Sequence, residues 1–220
     1  MDVVIAGGHG KIALRLATQL AGQGHTVVSL VRNPEHVDEV TATGARTVVA
    51  DLETISIAEL AEHLDGADAV VFAAGAGPDS GAQRKDTVDR AGATLLADAA
   101  AKAGVRRYLL VSSTGVDADP DPERGEVWAA YIAAKKAAED AIRADPNLDA
   151  TILRPGRLTD DPGTGKVLLA PPPVDRDDVT RDDTAAVLAA LLEAPGTAGT
   201  TLELRGGDQP VTEAVAAQQK

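Results

Sequence analysis

The stretch from Asp2 to Ala13, DVVIAGGHGKIA, decides the fold of this chain. Its first five residues are mostly apolar and β-branched, which predicts a buried strand, and the glycines after them predict a tight turn. A helical pattern begins at Lys11, so the turn leads straight into a helix. Backbone N–H groups at a helix start point at one spot, where the helix dipole also favours negative charge. The stretch therefore predicts an anion-binding turn.

The residues of this turn have separate predicted roles. Gly7 permits the sharp exit from the strand, Gly10 lets a pyrophosphate approach the backbone, and Ala13 allows close packing of the helix on the strand. Such a turn can also be a plain strand–helix connection, but its place at the first strand favours a dinucleotide. The residues predicted to bind the dinucleotide here are Gly7, Gly8, His9, Gly10, Lys11 and Ile12.

Strands and helices alternate along the rest of the chain. After the first strand, strands are predicted at 26–31, 46–50, 69–74, 107–111, 148–153 and 201–204. Helices are predicted at 34–43, 56–64, 84–103, 128–143 and 182–193. Residues 77–83 and 166–173 are predicted to be a turn and an irregular segment, and the acidic stretch 117–126 a mobile loop. This order predicts one Rossmann-type α/β domain over 1–220, with a doubly wound, mostly parallel sheet, helices on both faces and small C-terminal elements on the substrate side.

Charge and composition narrow the possible partners. The formal net charge of −13 argues against nucleic acid and anionic membranes. The chain has no cysteine, and its four histidines show no ligand spacing, so we expect no metal site. No apolar run approaches the roughly 18 residues of a membrane span, and the first strand begins at Asp2 without a basic leader. We therefore expect a cytoplasmic protein, monomeric or a small homo-oligomer, that binds a small molecule.

The residues after the second strand bear on the choice of dinucleotide. An acidic residue at this place hydrogen-bonds the free 2′-hydroxyl of NAD, whereas this chain has Arg32 and Asn33. The guanidinium fork of Arg32 fits a phosphate. A solvated arginine at a strand end is the alternative. Together with the glycine turn, Arg32 favours NADP(H) over NAD(H).

Other strand ends supply further candidates, because ligands of doubly wound sheets lie at the carboxyl ends of the strands. Asp51 and Leu52 end the third strand, where they could meet an adenine, although Asp51 could equally cap a turn. Small residues end the fourth strand and would let the chain pass close to a ribose or nicotinamide; a flexible loop is the alternative. These small residues are Ala73, Ala74 and Gly75.

Tyr131 and Lys135 are four residues apart on a predicted helix and therefore share one face. An ammonium beside a phenol favours the phenolate, which would make Tyr131 a general acid–base near neutral pH. Lys135 could also hold the nicotinamide ribose. Ser113 or Thr114, after the fifth strand, could donate to a substrate carbonyl. The alternative is a surface helix on which a tyrosine packs beside a solvated lysine.

Several stretches together resemble a known family over nearly the full length. They are 5–13, 31–34, 88–92, 111–114, 131–135, 153–158 and 181–183. In these the chain resembles atypical short-chain dehydrogenase/reductases, the compact NAD(P)-binding group related to NmrA-like proteins and to flavin and biliverdin reductases. The resemblance implies NADP at the glycine turn and Arg32. It also implies cofactor or substrate contacts from Ala73, Ala74, Ser112, Lys135, Pro155 and Gly156.

Two functions remain open at this point. The first is an NADP(H)-dependent oxidoreductase that reduces a small carbonyl, quinone or flavin-like substrate, and the Tyr131/Lys135 pair, which members of this group often lack, favours it. The second is a non-catalytic NADP(H)-sensing module. Asp89 stands where extended relatives carry a catalytic asparagine, and the chain is too short for the substrate domain of sugar-nucleotide epimerases, which keeps the second hypothesis open.

Overall fold

The computed structural model describes residues 1–77 and 80–220, and strands and helices alternate in it as far as residue 155. The strands are β1 (Asp2–Ala6), β2 (Thr26–Val31), β3 (Arg46–Val49), β4 (Ala69–Phe72), β5 (Arg107–Val111), β6 (Asp149–Pro155), β7 (Arg157–Thr159), β8 (Lys166–Ala170), β9 (Asp178–Thr180), β10 (Thr200–Gly206) and β11 (Gln209–Pro210). The helices are α1 (Lys11–Gly22), α2 (Val37–Thr41), α3 (Ile57–His63), α4 (Ala82–Arg84), α5 (Ala91–Ala103), α6 (Gly125–Ala144), α7 (Arg181–Leu192) and α8 (Val211–Ala216). A π-helical segment, Lys85–Arg90, joins α4 to α5.

Nine of the described strands form one sheet in the order β11-β8-β10-β6-β5-β4-β1-β2-β3. The pairs from β3 across to β10 are parallel, while β8 is antiparallel to β10 and β11. The chain lays β2 and β3 on one side of β1 and then returns to place β4 on the other side. Such a reversal leaves a crevice at the carboxyl ends of the strands. The predicted Rossmann-type fold is confirmed.

Side-chain alternation along the strands builds a core on each face of this sheet. Val3 and Ile5 point to one face, where they pack with buried residues of α1, α7 and α8. Val4 and Ala6 point to the other, where α3, α5 and α6 cover the sheet. Successive strand residues face opposite sides, so a continuous apolar run such as β1 serves both cores. The glycine turn at the end of β1 is thereby fixed from both faces.

Several sequence-based boundaries differ from the structure. The prediction that 166–170 is irregular is wrong: these residues form β8, and buried Val167 and Leu169 join the core beside α7 and α8. The predicted turn at 77–83 includes residues 78 and 79, which lie outside the described residues, and its end forms α4. The predicted single helix after it is interrupted by the π-helical segment. Helix α6 begins three residues earlier than predicted.

Two further observations concern partners. No helix in the described part of the chain is long and apolar enough to span a bilayer. In the same residues, no group of three or more His, Cys, Asp or Glu side chains is placed to hold a metal ion. Beside the main sheet, β7 and β9 form a small parallel sheet of two strands.

Candidate active site

A cleft of about 250 Å³ opens at the carboxyl ends of the strands on both sides of β1. Ten of the predicted cofactor-binding residues lie in its wall: Gly7, His9, Gly10, Arg32, Asn33, Asp51, Leu52, Ala73, Ala74 and Gly75. Seven predicted residues do not: Gly8, Lys11, Ile12, Ser112, Lys135, Pro155 and Gly156. Sequence reasoning missed other wall residues, including Leu30, Val31, His36, Ala50, Glu53, Ala76, Arg84 and Val88. The cleft thus joins the glycine turn to the ends of β2, β3 and β4.

The glycine turn is packed too tightly for side chains. Gly7 has a φ of +83°, and a Cβ on it would lie 2.5 Å from Ala74 Cα. A Cβ on Gly8 would lie 2.6 Å from Ser29 Cβ, and the Gly8 N–H donates to Leu30 O at 2.8 Å. Gly8 therefore fastens the turn to β2 rather than facing the cleft.

The start of α1 is open to an anion. The residue before the helix, Gly10, carries no side chain, and among the described residues no side chain caps this helix or places a carboxylate in its first turn. The first N–H groups of a helix have no partner within it, so these donors point out of the helix start. A Cβ on Gly10 would lie 3.1 Å from Gly7 O, tighter than most Cβ contacts. These features fit a dinucleotide pyrophosphate.

Two histidines stand side by side in the cleft wall. The rings of His9 and His36 are stacked with centroids 3.5 Å apart and planes 14° apart. His9 Nε2 also lies 2.8 Å from Glu39 Oε2. The stack links the glycine turn to the segment after β2, which holds Arg32.

Arg32, Glu53 and Arg84 form one end of the cleft, called here the arginine end. Arg84 Nη2 donates to Glu53 Oε2 at 2.5 Å, and Arg32 Nη1 lies 3.5 Å from the same oxygen. Thr87 donates to Glu53 Oε1 at 2.7 Å. The hydrogen bonds from Arg84 and Thr87 lower the pKa of Glu53, and the bond with Glu53 raises the pKa of Arg84. No sequence pattern indicated Glu53 or Arg84.

Tyr131, Lys135 and Asp89 form a second group, called here the tyrosine end. Lys135 Nζ donates to Val111 O at 3.1 Å and lies 3.1 Å from Asp89 Oδ1. The other carboxylate oxygen of Asp89 accepts from the Ala76 N–H at 3.1 Å. The buried pair therefore ties α6 to the end of β5 and to the loop after β4. Ala76 is itself in the cleft wall, so the two ends are physically connected.

Two ammonium groups lie near the ring of Tyr131. Lys135 Nζ is 5.8 Å and Lys85 Nζ is 5.6 Å from the centre of its ring. The ring of Trp128, one helical turn earlier, is 5.3 Å from it, and Arg124 stacks on that indole at 3.3 Å. Tyr131 is partly exposed, and of the two lysines near its ring, Lys135 is paired with Asp89.

The three hydroxyl residues after β5 have different surroundings. Ser112 Oγ donates to Glu139 Oε1 at 2.5 Å, so its hydroxyl is engaged in the core. Ser113 Oγ donates to the carbonyl of Thr114 at 3.2 Å. Thr114 is buried, and its Oγ1 has no hydrogen-bond partner among the described residues. A buried hydroxyl without a partner is uncommon, which distinguishes Thr114 from its two neighbours. Neither Ser113 nor Thr114 is in the wall of the cleft.

A buried ion network supports this edge of the sheet. Arg154, at the end of β6, donates from Nε to Glu139 Oε1 at 2.9 Å and from Nη2 to Glu139 Oε2 at 2.6 Å. It also donates to Asp117, in the stretch predicted to be a mobile loop, at 2.5 Å. Burial lowers the pKa of Arg154, but the hydrogen bonds with the two carboxylates outweigh it and raise the pKa. Arg154 thus ties that loop to the core.

Comparison with known proteins agrees with this geometry. Residues 7–195 match a family model described as NAD(P)H-binding. The chain belongs to this family. The uncharacterized sugar epimerase YhfK of Bacillus subtilis is 35% identical over 98% of this chain and 99% of its own. A solved structure from Bacillus halodurans, provisionally named an NAD-dependent epimerase/dehydratase, is 38% identical, covers 99% of both chains and superposes with a TM-score of 0.88.

A second solved structure is also similar to this chain. The oxidoreductase ylbE of Lactococcus lactis is 27% identical, covers 99% of this chain and 96% of its own, and has a TM-score of 0.83. The predicted resemblance to a compact NAD(P)-binding group is confirmed. The individual roles of the site residues and the preference for NADP(H) stay predictions.

Proposed function

We propose that the chain, acting as a single domain, is an NADP(H)-dependent oxidoreductase that reduces a small carbonyl, quinone or flavin-like substrate, with Tyr131 as general acid. The bound cofactor would supply the hydride. The observation that carries the proposal is the position of Tyr131, which is partly exposed and near Lys85 and Lys135. Lys135 is joined through Asp89 to the loop that lines the cleft. A cytoplasmic location and a monomeric or small homo-oligomeric state stay predictions.

The surrounding side chains give Tyr131 its proposed task. The ammonium groups of Lys85 and Lys135 lie within 6 Å of the centre of the Tyr131 ring. Lys135 is held in place by Asp89 and by a carbonyl of β5. An ammonium has three donors, and these two contacts leave one for a ribose hydroxyl. Thr114 contributes the hydroxyl that binds the substrate oxygen.

One observation favours the sensor as a second candidate function. Asp89 neutralises the charge of Lys135 within the core, so less of that charge acts on Tyr131 than in a chain with an uncharged residue at this position. A dinucleotide-binding protein without turnover would need only the glycine turn and the arginine end. Catalysis is therefore what separates the two candidates.

The test replaces Tyr131 by phenylalanine. General acid–base groups typically contribute about 10²- to 10⁴-fold, so we expect Tyr131→Phe to lower NADPH-dependent turnover by about that factor and to leave NADPH binding unchanged. The screen follows NADPH absorbance with quinones, flavins and small aldehydes. It includes nucleotide sugars because two relatives carry epimerase names.

Tyr108→Phe is the matched control, because Tyr108 is the other tyrosine of the chain and lies in the core, where its hydroxyl donates to Ala93 O at 2.9 Å. We expect this control to lose stability and to keep its turnover per folded molecule. Equal turnover in Tyr131→Phe and the wild type would contradict the role of Tyr131. Tight NADPH binding without turnover of any substrate would favour the sensor.

A further inference from the structure

At the arginine end, the carboxylate of Glu53 lies between two arginines, which the proposed function does not require. Two guanidinium groups share one carboxylate oxygen, Glu53 Oε2, at 2.5 Å from Arg84 and 3.5 Å from Arg32. The two guanidinium nitrogens are therefore no more than about 6 Å apart. Arg32 follows β2, whereas Arg84 comes from α4, beyond the end of β4. All three side chains lie in the wall of the cleft.

The position of Arg32 indicates which part of the cofactor would reach this place. In dinucleotide-binding folds the residue after the second strand meets the 2′ position of the adenosine ribose, and an arginine there accommodates the 2′-phosphate of NADP. A phosphate accepts charge-assisted hydrogen bonds of about 2.8 Å from more than one guanidinium group. A gap of this size between Arg32 and Arg84 can be bridged by one phosphate. Glu53 Oε2 occupies that gap in the structure.

We propose that Glu53 holds the place of the 2′-phosphate, and that Arg84 is the second arginine of the phosphate site. NADP(H) displaces the carboxylate and binds both guanidinium groups, whereas NAD(H) binds with Glu53 left in place. The preference between the cofactors is then set by competition between an internal carboxylate and an external phosphate. This inference rests on the proposed function only in taking the cleft to be the dinucleotide site.

Exposure and charge both favour such an exchange. The side chains of Arg32, Arg84 and Glu53 are 55%, 37% and 24% exposed. Glu53 is held by hydrogen bonds from Arg84, Arg32 and Thr87. Because the group is partly exposed, water can replace these bonds when the carboxylate moves into solvent. Two guanidinium groups match the charge of a phosphate dianion, whereas Glu53 neutralises one of them. With Glu53 in place, the two guanidinium groups are already held close together, but the carboxylate cancels part of their positive charge.

The experiment measures dissociation constants for NADPH and NADH by fluorescence titration of the full chain. We expect Glu53→Gln to bind NADPH about tenfold more tightly, because the competing charge is gone, and to change NADH binding by less than about twofold. Arg84→Ala should bind NADPH about tenfold more weakly, again with little effect on NADH. The double variant should lose the gain of Glu53→Gln.

Two exposed residues provide matched controls. Glu62→Gln on α3 and Arg46→Ala at the start of β3 make the same charge changes away from the cleft wall, so they show the effect of net charge alone. Adenosine 2′,5′-bisphosphate and 5′-AMP serve as competing probes. The bisphosphate should gain affinity in Glu53→Gln, whereas 5′-AMP should not.

Three results would overturn the inference. Weaker NADPH binding by Glu53→Gln would show that Glu53 positions Arg84 instead of competing with the phosphate. Equal changes for NADPH and NADH would show that the three residues shape the cleft without reading the 2′ position. Unchanged NADPH binding in Arg84→Ala, with a loss in Arg32→Ala, would leave Arg32 as the phosphate reader and remove Arg84 from the site. A wild-type chain that binds neither dinucleotide would instead contradict the proposed function.

Discussion

The arginine end and the tyrosine end each combine a basic side chain with a carboxylate, but in opposite environments. Arg84 and Glu53 are partly exposed in the cleft wall, at 37% and 24%, whereas the side chains of Lys135 and Asp89 are 6% and 1% exposed. Exposed pairs contribute at most about 1 kcal/mol, while removing one partner of a buried pair costs about 3–5 kcal/mol. An exposed pair can exchange partners for a ligand. A buried pair instead fixes geometry.

This difference suggests a division of labour along the cleft. The arginine end is adaptable and suits recognition of a variable group on the cofactor. At the tyrosine end, Lys135 is buried and held by Asp89 and a β-strand carbonyl, which fixes its position. The glycine turn, from which α1 begins, lies in the same cleft wall as the arginine end.

The largest expected effect comes from blocking the turn. Gly10→Val puts a branched side chain where a single Cβ already lies 3.1 Å from Gly7 O, at the opening of α1. We expect binding of NADPH and NADH to fall below detection together, because the pyrophosphate is common to both. The measurement is a fluorescence titration combined with thermal unfolding.

Gly22→Ala at the other end of α1 is the control, since a Cβ there meets nothing within 4 Å. A loss of only one of the two cofactors in Gly10→Val would contradict the assignment of the turn to the pyrophosphate. Normal binding of both would reduce the turn to a structural connection.

The fold was predictable from the sequence because its signals are local. The strand–glycine–helix stretch at 2–13 and the apolar strands between helices both appear in the structure. The error at β8 has a physical reason. Its antiparallel partners β10 and β11 come later in the chain, so the residues around β8 carry no local signal of this pairing. The prolines at 171–173 also made that segment resemble a loop.

The site was predictable only in part for a related reason. Gly10, Arg32 and Asp51 follow strands, so the topology alone brings them to one cleft. Glu53 and Arg84 meet through side chains 31 residues apart in sequence, which no spacing rule indicates. Ser112 faces the core because Glu139, buried on α6, accepts its hydroxyl. Which of three adjacent hydroxyls is free depends on such tertiary contacts.

The second prediction compares the stability of the two ends. Asp89→Ala leaves Lys135 buried without its counter-charge, so we expect the free energy of unfolding to fall by about 3–5 kcal/mol. Glu53→Ala removes a partly exposed carboxylate and should cost at most about 1 kcal/mol. Urea denaturation of both variants gives the two values. Similar losses in the two variants would remove the contrast between an adaptable and a fixed end.

The smallest expected effects concern two neighbouring hydroxyls, Ser112 and Thr114. Thr114→Val removes a buried hydroxyl that lacks a partner among the described residues, so we expect the free energy of unfolding to stay unchanged or to rise by up to about 1 kcal/mol. Ser112→Ala removes the donor to Glu139 and should lower the free energy of unfolding by about 1–3 kcal/mol.

For turnover we expect the reverse order, with the larger loss in Thr114→Val and the smaller in Ser112→Ala. Loss of a hydrogen bond to the substrate oxygen predicts about a tenfold decrease for Thr114→Val, and little change per folded molecule for Ser112→Ala. Urea denaturation and NADPH oxidation on the same preparations measure both. A destabilised Thr114→Val with normal turnover would show that this hydroxyl supports the fold, and it would remove Thr114 from the proposed substrate site.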